Sequence, residues 1–272
     1  MLRRRLAPAA LIAGSLIANC TVAAATEPRA LVELFTSQGC SSCPTADKLL
    51  GELAGDPSLV AISLPIDYWD YLGWKDTLAS QADTARQRAY ARVRGDRQVY
   101  TPQIVVNGAT QVLGSDRAAV ERAIVQSDRN AAIMSAPVLV SVGGGKLNVR
   151  VGPPGRDRFG GGHFGGEVWL CPLARTVPIQ IGRGENRGRT VTYHDVVRRW
   201  IKLGDWSGAE STWNVPVSDI ETDGIDAAVV MVQQGTHDKP GIILGAGLAA
   251  LAAPAAVSSG QTTKNGARRI EE

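Results

Sequence analysis

The chain has 272 residues, 44% of them hydrophobic, with 29 basic and 26 acidic side chains for a net charge of +3. That length suffices for one large or two small globular domains. The charge is spread along the chain without a long basic run, so nothing in it points to nucleic acid.

Residues 1–25 read as an export signal. Arg3, Arg4 and Arg5 precede the apolar stretch Leu6 to Ala18, which is too short to span a bilayer, and Ala23-Ala24-Ala25 follows as a cleavage site. Lipidation at Cys20 is the weaker reading, because Asn19 stands where a small residue belongs. The expected location is therefore periplasmic or secreted, with no membrane-integral segment once the signal is removed. Gly241 to Val257 is apolar, but its Gly/Ala content and Pro254 favour a buried strand followed by a flexible tail. An oxidising compartment lets paired cysteines persist as a disulfide. Of four cysteines, Cys40, Cys43 and Cys171 survive processing.

Residues 26–135 alternate strand and helix signals. Leu31 to Thr36 is an almost continuous apolar run, as expected for a strand covered on both faces. Ala46, Leu49, Leu50 and Leu53 then share one helical face. Leu59 to Leu64 predicts a second strand, and Thr77 to Arg94 a polar, exposed helix. Gln103 to Val106 and Gln111 to Leu113 form a hairpin across the two-residue turn Asn107-Gly108. Ser115 is the expected cap of a last helix with apolar positions Ala119, Val120, Ala123 and Ile124. This is the element order of an α/β thioredoxin-like domain.

Composition shifts near Ala136-Pro137, and residues 136–254 predict a smaller, mainly-β, sandwich-like domain. Its strands are Val138 to Val142, Lys146 to Val151, Val168 to Cys171, Val177 to Ile181, Arg189 to Tyr193, Trp213 to Val217, Ala227 to Val232 and Ile242 to Leu244. A glycine-dense loop, Gly160 to Gly166, lies among them, and residues 255–272 predict a disordered tail.

Chemistry concentrates at Gly39-Cys40-Ser41-Ser42-Cys43-Pro44, where the first strand gives way to the first helix. Free N–H groups and the macrodipole at a helix N-terminus favour a thiolate. Cys40 is the expected attacking thiolate and the more exposed of the two; Cys43 resolves the mixed disulfide. Ser41 and Ser42 are placed to donate to the Cys40 sulfur, and Pro44 suits the first helical turn. Against this stand an inert disulfide, which would close so short a ring that it stabilises little, and a zinc site. The other zinc ligands available, Cys171, His163, His194 and His237, all fall in the second half and none are paired at ligand spacing, so no metal is expected. Cys171, in an apolar run, reads as a buried inert thiol.

Thr101-Pro102 precedes the hairpin, where a thioredoxin-like fold carries a cis-proline facing the cysteines. Thr101 would then offer its backbone edge to a substrate strand. The aromatic segment Ile66 to Trp74 reads first as local packing and second as a wall beside the cysteines. In the second reading Trp69 contacts substrate, and Asp67 or Asp70 tunes a thiol. Gly182 to Gly188 reads first as a charged hairpin turn and second as a site presenting Arg183 and Glu185 to a partner, and His194-Asp195 reads as surface.

The chain resembles a bacterial family of exported thioredoxin-like proteins, domain of unknown function 1223. The resemblance rests on Glu33 to Pro44, Asp67 to Trp74, Arg86-Gln87, Tyr100 to Gln103 and Gly182 to Asn186, and covers nearly all of the mature chain. It departs at Thr45, where a second proline is expected. It implies a thioredoxin-like domain but no particular reaction. The expected activity is thiol–disulfide exchange with protein thiols, disulfides or a redox partner protein. No nucleotide or flavin motif is recognisable, so no cofactor is expected. The alternative is a non-catalytic periplasmic binding protein, for a protein partner or Cu(I), with a structural disulfide. An envelope-interaction role carried by the β-rich half is a third possibility.

Overall fold

The structure, a computed structural model, describes residues 27–155, 165–222 and 224–251. The expected export signal with Cys20, most of the glycine-dense loop with His163, and the expected tail over 255–272 lie outside the described residues.

Strand β1 (Ala30–Thr36) is buried along its whole length because both faces of the sheet are covered. Side chains alternate between faces. Leu31 and Phe35 enter one core, while Ala30, Val32 and Leu34 enter another, beneath helices α1 (Cys43–Leu53) and α3 (Arg117–Ser127). Strand β2 (Leu59–Pro65) pairs parallel to β1, while β3 (Gln103–Val106) pairs antiparallel to β1 and to β4 (Thr110–Leu113). The hairpin loop holds Asn107, Gly108 and Ala109, one residue more than the predicted turn, with positive φ at Asn107 and Gly108. The reason is the Asn107 side chain, which is fully buried. Its Oδ1 accepts from the Leu31 N–H (2.7 Å), and its Nδ2 donates to Ser127 Oγ (2.9 Å), tying the hairpin to β1 and α3.

Helix α2 (Gln81–Arg94) starts later than the composition predicts, capped by Ser80, whose side chain accepts from the Ala82 N–H. The preceding residues are held in a turn by Asp76, whose Oδ1 accepts from the Leu78 N–H (2.8 Å). Helix α3 is capped by Asp116 rather than Ser115, through the Ala119 N–H (2.9 Å).

Beyond residue 136 come β5 (Val138–Gly143), β6 (Lys146–Val151), β7 (Gly166–Gln180), β8 (Thr190–Val197), β9 (Ile201–Trp206), β10 (Ser211–Pro216), β11 (Ala227–Thr236) and β12 (Lys239–Ala250). The two predicted strands Val168 to Cys171 and Val177 to Ile181 are parts of one 15-residue strand, β7. Pairing continues through both prolines in it, Pro172 opposite Ala228 and Pro178 opposite Thr192. Sequence patterning misses β9, which pairs with the N-terminal part of β7.

The change of composition at Ala136 is not a break in the sheet. Strand β8 pairs parallel to β2 at Ser63 and Val196, giving one nine-stranded sheet in the order β12-β11-β7-β8-β2-β1-β3-β4, with β9 alongside β7. A separate three-stranded sheet, β10-β6-β5, packs on it, with Leu147, Val149 and Val151 meeting Val168, Leu170, Val230 and Leu244. A further core joins both halves of the chain: Leu31, Phe35, Ile62, Leu64 and Tyr90 pack with Trp169, Cys171, Val229 and Met231. The fold is mixed α/β, with three helices on a large sheet. Among the described residues no helix is long and apolar enough to cross a membrane.

Candidate functional site

Cys40 and Cys43 are disulfide-bonded, with Cα atoms 5.4 Å apart, at the end of β1 where the chain turns into α1. The helix begins at Cys43 itself, with Pro44 in its first turn, so Cys40 stands in the loop just ahead. Ser42 Oγ lies 3.4 Å from Cys40 Sγ. The expected exposure of Cys40 is not found in this oxidised state: Cys40 is 2% exposed and Cys43 0%. Two groups close over the loop. The Trp69 side chain sits so near Gly39 that a Cβ there would lie 3.1 Å from Trp69 Cβ, which is why glycine suits this position. On the other side lies the Gly182 to Gly188 segment between β7 and β8. Its Asn186 is buried and donates both amide hydrogens into the cysteine loop, to the Gln38 carbonyl (2.9 Å) and the Cys40 carbonyl (2.8 Å).

Gln38 is fastened further. Its N–H donates to Asp76 Oδ2 (2.8 Å), and its side-chain oxygen accepts from Trp74 Nε1 (2.8 Å). Trp74 in turn packs against Gly182, where a Cβ would come within 3.0 Å of the indole. The segment that reads as a hairpin turn is therefore a clamp on the cysteine loop. Nothing local in the sequence separates this segment from an ordinary turn; what Asn186 touches is a matter of tertiary contact alone.

Of the residues expected near the cysteines, Trp69, Thr101 and Pro102 are brought together. Trp69 Nε1 donates to Thr101 Oγ1 (2.8 Å), and the Thr101–Pro102 peptide bond is cis. Gln103 pairs with Phe35, so Pro102 enters beside the C-terminal end of β1, from which the cysteine loop departs. Asp67 is placed elsewhere. Its carboxylate accepts from Thr84 Oγ1 (2.6 Å) on α2, and Asp70 Oδ1 accepts from the Asp76 N–H (3.0 Å). Among the described residues neither carboxylate hydrogen-bonds to the cysteine loop, so the thiol-tuning role expected of them is not supported. Asp67 instead ties its segment to α2, and Asp70 holds the turn that leads to Asp76.

The acid that does lie behind the disulfide is Asp47. It follows Cys43 by one helical turn, which places both on the same face of α1. Asp47 is buried; its Oδ1 accepts from Thr36 Oγ1 (2.7 Å), and its Oδ2 has no partner among the described residues. Burial pushes its pKa up to about 8, opposed by the Thr36 hydrogen bond and assisted by the nearby Asp76 charge. Asp76 is raised by its own burial. Tyr193 on β8 is raised by burial and then by Asp47 and Asp76, so the three form one buried acidic group. The signal was available in the sequence, since an aspartate falls within the apolar face that carries Ala46 and Leu50.

Asp47 has a direct consequence for stability. Its folded pKa, about 8, exceeds the ordinary 3.8, so the folded protein holds this proton where the unfolded chain has lost it. Stability is therefore lost as pH rises from about 4 to about 8. Asp47→Asn removes that dependence. The variant should gain in Tm relative to the parent between pH 5 and pH 8, by at least about 2 °C, the equivalent of roughly 1 kcal/mol. A Tm difference independent of pH in calorimetry would show that Asp47 ionises freely.

Cys171 is fully buried in β7 as a free thiol, its pKa pushed up by burial. Among the described residues no group of three or more His, Cys, Asp or Glu side chains is gathered to hold a metal.

No curated protein matches the chain. It is similar to a structural-genomics target from Agrobacterium tumefaciens whose X-ray crystal structure is known. The two are 30% identical with a TM-score of 0.72, over 82% of this chain and 94% of that one. Residues 31–233 match the family described as protein of unknown function (DUF1223). That span takes in the cysteine loop, Thr101-Pro102 and the Asn186 clamp, and the chain belongs to this family.

Proposed function

We propose that the protein is an exported thiol–disulfide oxidoreductase acting through Cys40 and Cys43. The observation that carries the proposal is the disulfide at the start of α1 with a buried, half-unpartnered Asp47 one turn behind it. In the exchange, a partner thiolate attacks Cys40 Sγ and the Cys40–Cys43 bond breaks. The electron pair leaves on Cys43, and a second partner thiol then releases Cys40 from the mixed disulfide. The partner thiols are oxidised to a disulfide and the protein gains two electrons. Asp47, carrying a proton at neutral pH, is suited to protonate the departing Cys43 thiolate. Thr101 and Pro102 would lie against the partner segment, with Trp69 at its edge.

The order β2-β1-β3-β4, with β1 and β2 parallel and β3 antiparallel, supports a thioredoxin-like unit over 26–135. In this reading the β-rich remainder is an accessory that clamps the cysteine loop through Asn186. The sequence pattern of residues 1–25, read as an export signal, supports a periplasmic or secreted location, where such a disulfide is maintained.

Burial of both sulfurs favours one competing reading, an inert structural disulfide. The deciding experiment is a glutathione redox titration of the mature Cys171→Ala protein. A reduction potential between about −120 and −270 mV, the range of disulfide catalysts, is the expected result. A pair that glutathione cannot reduce, with a potential below about −300 mV, overturns the proposal in favour of the structural disulfide.

A further inference from the structure

A recess of about 560 Å³ opens beside α2, lined by Tyr68, Arg88, Arg92, Asp96 and Arg97 among others. Arg88 and Arg92 are one helical turn apart, where like charges repel. Arg97 joins them from the loop that follows the helix. Among the described residues none of the three forms a salt bridge. The acid in the lining, Asp96, is already engaged by Arg94 (2.8 Å) and Gln111 Nε2 (3.2 Å). Basic residues in the last turn of a helix are commonplace, because they complement its dipole. That accounts for Arg92, but Arg88 lies earlier in α2 and Arg97 beyond its end. Three arginines without an ion pair among the described residues line one concavity, which concentrates positive potential there and offers paired donors to planar anions.

The recess is coupled to the cysteine site by its own wall. Tyr68 lines it, and the next residue, Trp69, lies over Gly39 and bonds Thr101. Behind that wall Gln87 Nε2 holds the Tyr100 carbonyl (2.8 Å) and Gln87 Oε1 accepts from Tyr68 (3.1 Å), so the recess and the Thr101-Pro102 segment share one framework.

We infer that this recess is an anion subsite of the cysteine centre, holding the carboxylates of a small anionic thiol while its sulfur reaches Cys40. The inference rests on the oxidoreductase reading for its chemistry and on the arginines for its selectivity. The reaction is the one written above, with two molecules of the anionic thiol oxidised to their disulfide and the Cys40–Cys43 pair reduced.

Two measurements on the mature protein test it, each with the triple variant Arg88→Gln/Arg92→Gln/Arg97→Gln, whose changes fall on exposed side chains. The first is calorimetric binding of S-methylglutathione, an anion with no thiol. The variant should bind at least about 10-fold more weakly, and raising salt from about 0.05 to 0.5 M should weaken the parent similarly. Equal binding by both proteins, or no binding by the parent at millimolar concentration, overturns the inference. The second is the rate at which glutathione, 2-mercaptoethanol and cysteamine reduce the disulfide, compared at equal thiolate concentration. The parent should favour anionic over cationic thiol by at least about 10-fold, and the variant should lose that preference while keeping its rate with the neutral thiol. The same preference in both proteins overturns the inference. If no thiol reduces either protein while S-methylglutathione still distinguishes them, the anion subsite stands and the oxidoreductase reading falls.

Discussion

Cys40→Ser is expected to lower the rate of thiol–disulfide exchange by at least about 10³-fold, because it removes the sulfur that bonds to the partner. Cys43→Ser should give a different result. It leaves the Cys40 thiol able to attack but removes the group that resolves the adduct, so a mixed disulfide on Cys40 accumulates and is seen by mass spectrometry of the intact protein. Stability does not confound the comparison. In the chain-entropy picture a ring between cysteines three positions apart contributes only about 2 kcal/mol. Folded protein should therefore survive in both variants, as circular dichroism will show. An adduct that forms on Cys43 in the Cys40→Ser protein would reverse the assigned roles. Wild-type exchange in both variants would remove the pair from the chemistry altogether.

Arg86→Ala is expected to cost about 3–5 kcal/mol of stability, a large share of the roughly 5–15 kcal/mol that holds a domain folded. Arg86 is 2% exposed and Glu33, on β1, is 0% exposed; the guanidinium Nε donates to Glu33 Oε1 at 2.6 Å. Nη1 donates to Gln233 Oε1 of β11 (2.9 Å) and Nη2 to the Tyr90 hydroxyl (2.9 Å), and Tyr90 itself donates to Glu33 Oε2 (2.7 Å). The guanidinium also lies 4.4 Å from the Trp200 ring centroid. Truncation leaves the Glu33 carboxylate without its counter-charge inside the core that both halves of the chain share. The cost is that of the stranded charge, not the net worth of the pair. A Glu33→Leu/Arg86→Leu double variant should therefore recover much of the loss. Urea denaturation measures all three proteins. A loss below about 1 kcal/mol for Arg86→Ala would mean that water reaches Glu33.

The resemblance motif Arg86-Gln87 illustrates what a sequence conveys and what it withholds. An arginine on a polar, Ala/Arg/Gln-rich helix reads as solvated; the helix forms, but it starts later than predicted and is not the exposed helix expected, since one face with Asp83, Arg86, Gln87 and Tyr90 is buried. Its partners are a glutamate 53 positions earlier and a glutamine 147 positions later, and no local pattern encodes either contact. Asp47 lies at the other extreme, since an acid on an otherwise apolar helical face one turn after Cys43 is a purely local signal. Asp67 marks the limit of proximity along the chain: it sits in the segment that reaches the cysteines, yet its own bonds go to Thr84. Asn186 was legible as a turn residue and illegible as a clamp, because the loop it grips is 146 residues away.

Local chemistry settled the strand β1, the helices over Ala46–Leu53 and Val120–Ile124, the cysteine pair at the strand-to-helix junction and the proline ahead of the hairpin. Each depends on side-chain periodicity or backbone preference within a few residues. Tertiary structure alone decided that the β-rich half continues the same sheet, through the parallel pairing of β8 with β2, that β7 runs unbroken past two prolines, and that both sulfurs are closed off. Those outcomes follow from which buried surfaces and unpaired strand edges meet. Unpaired N–H and C=O groups on β2 and β7 must find partners somewhere, and which distant segment supplies them is set by the packing of the whole chain.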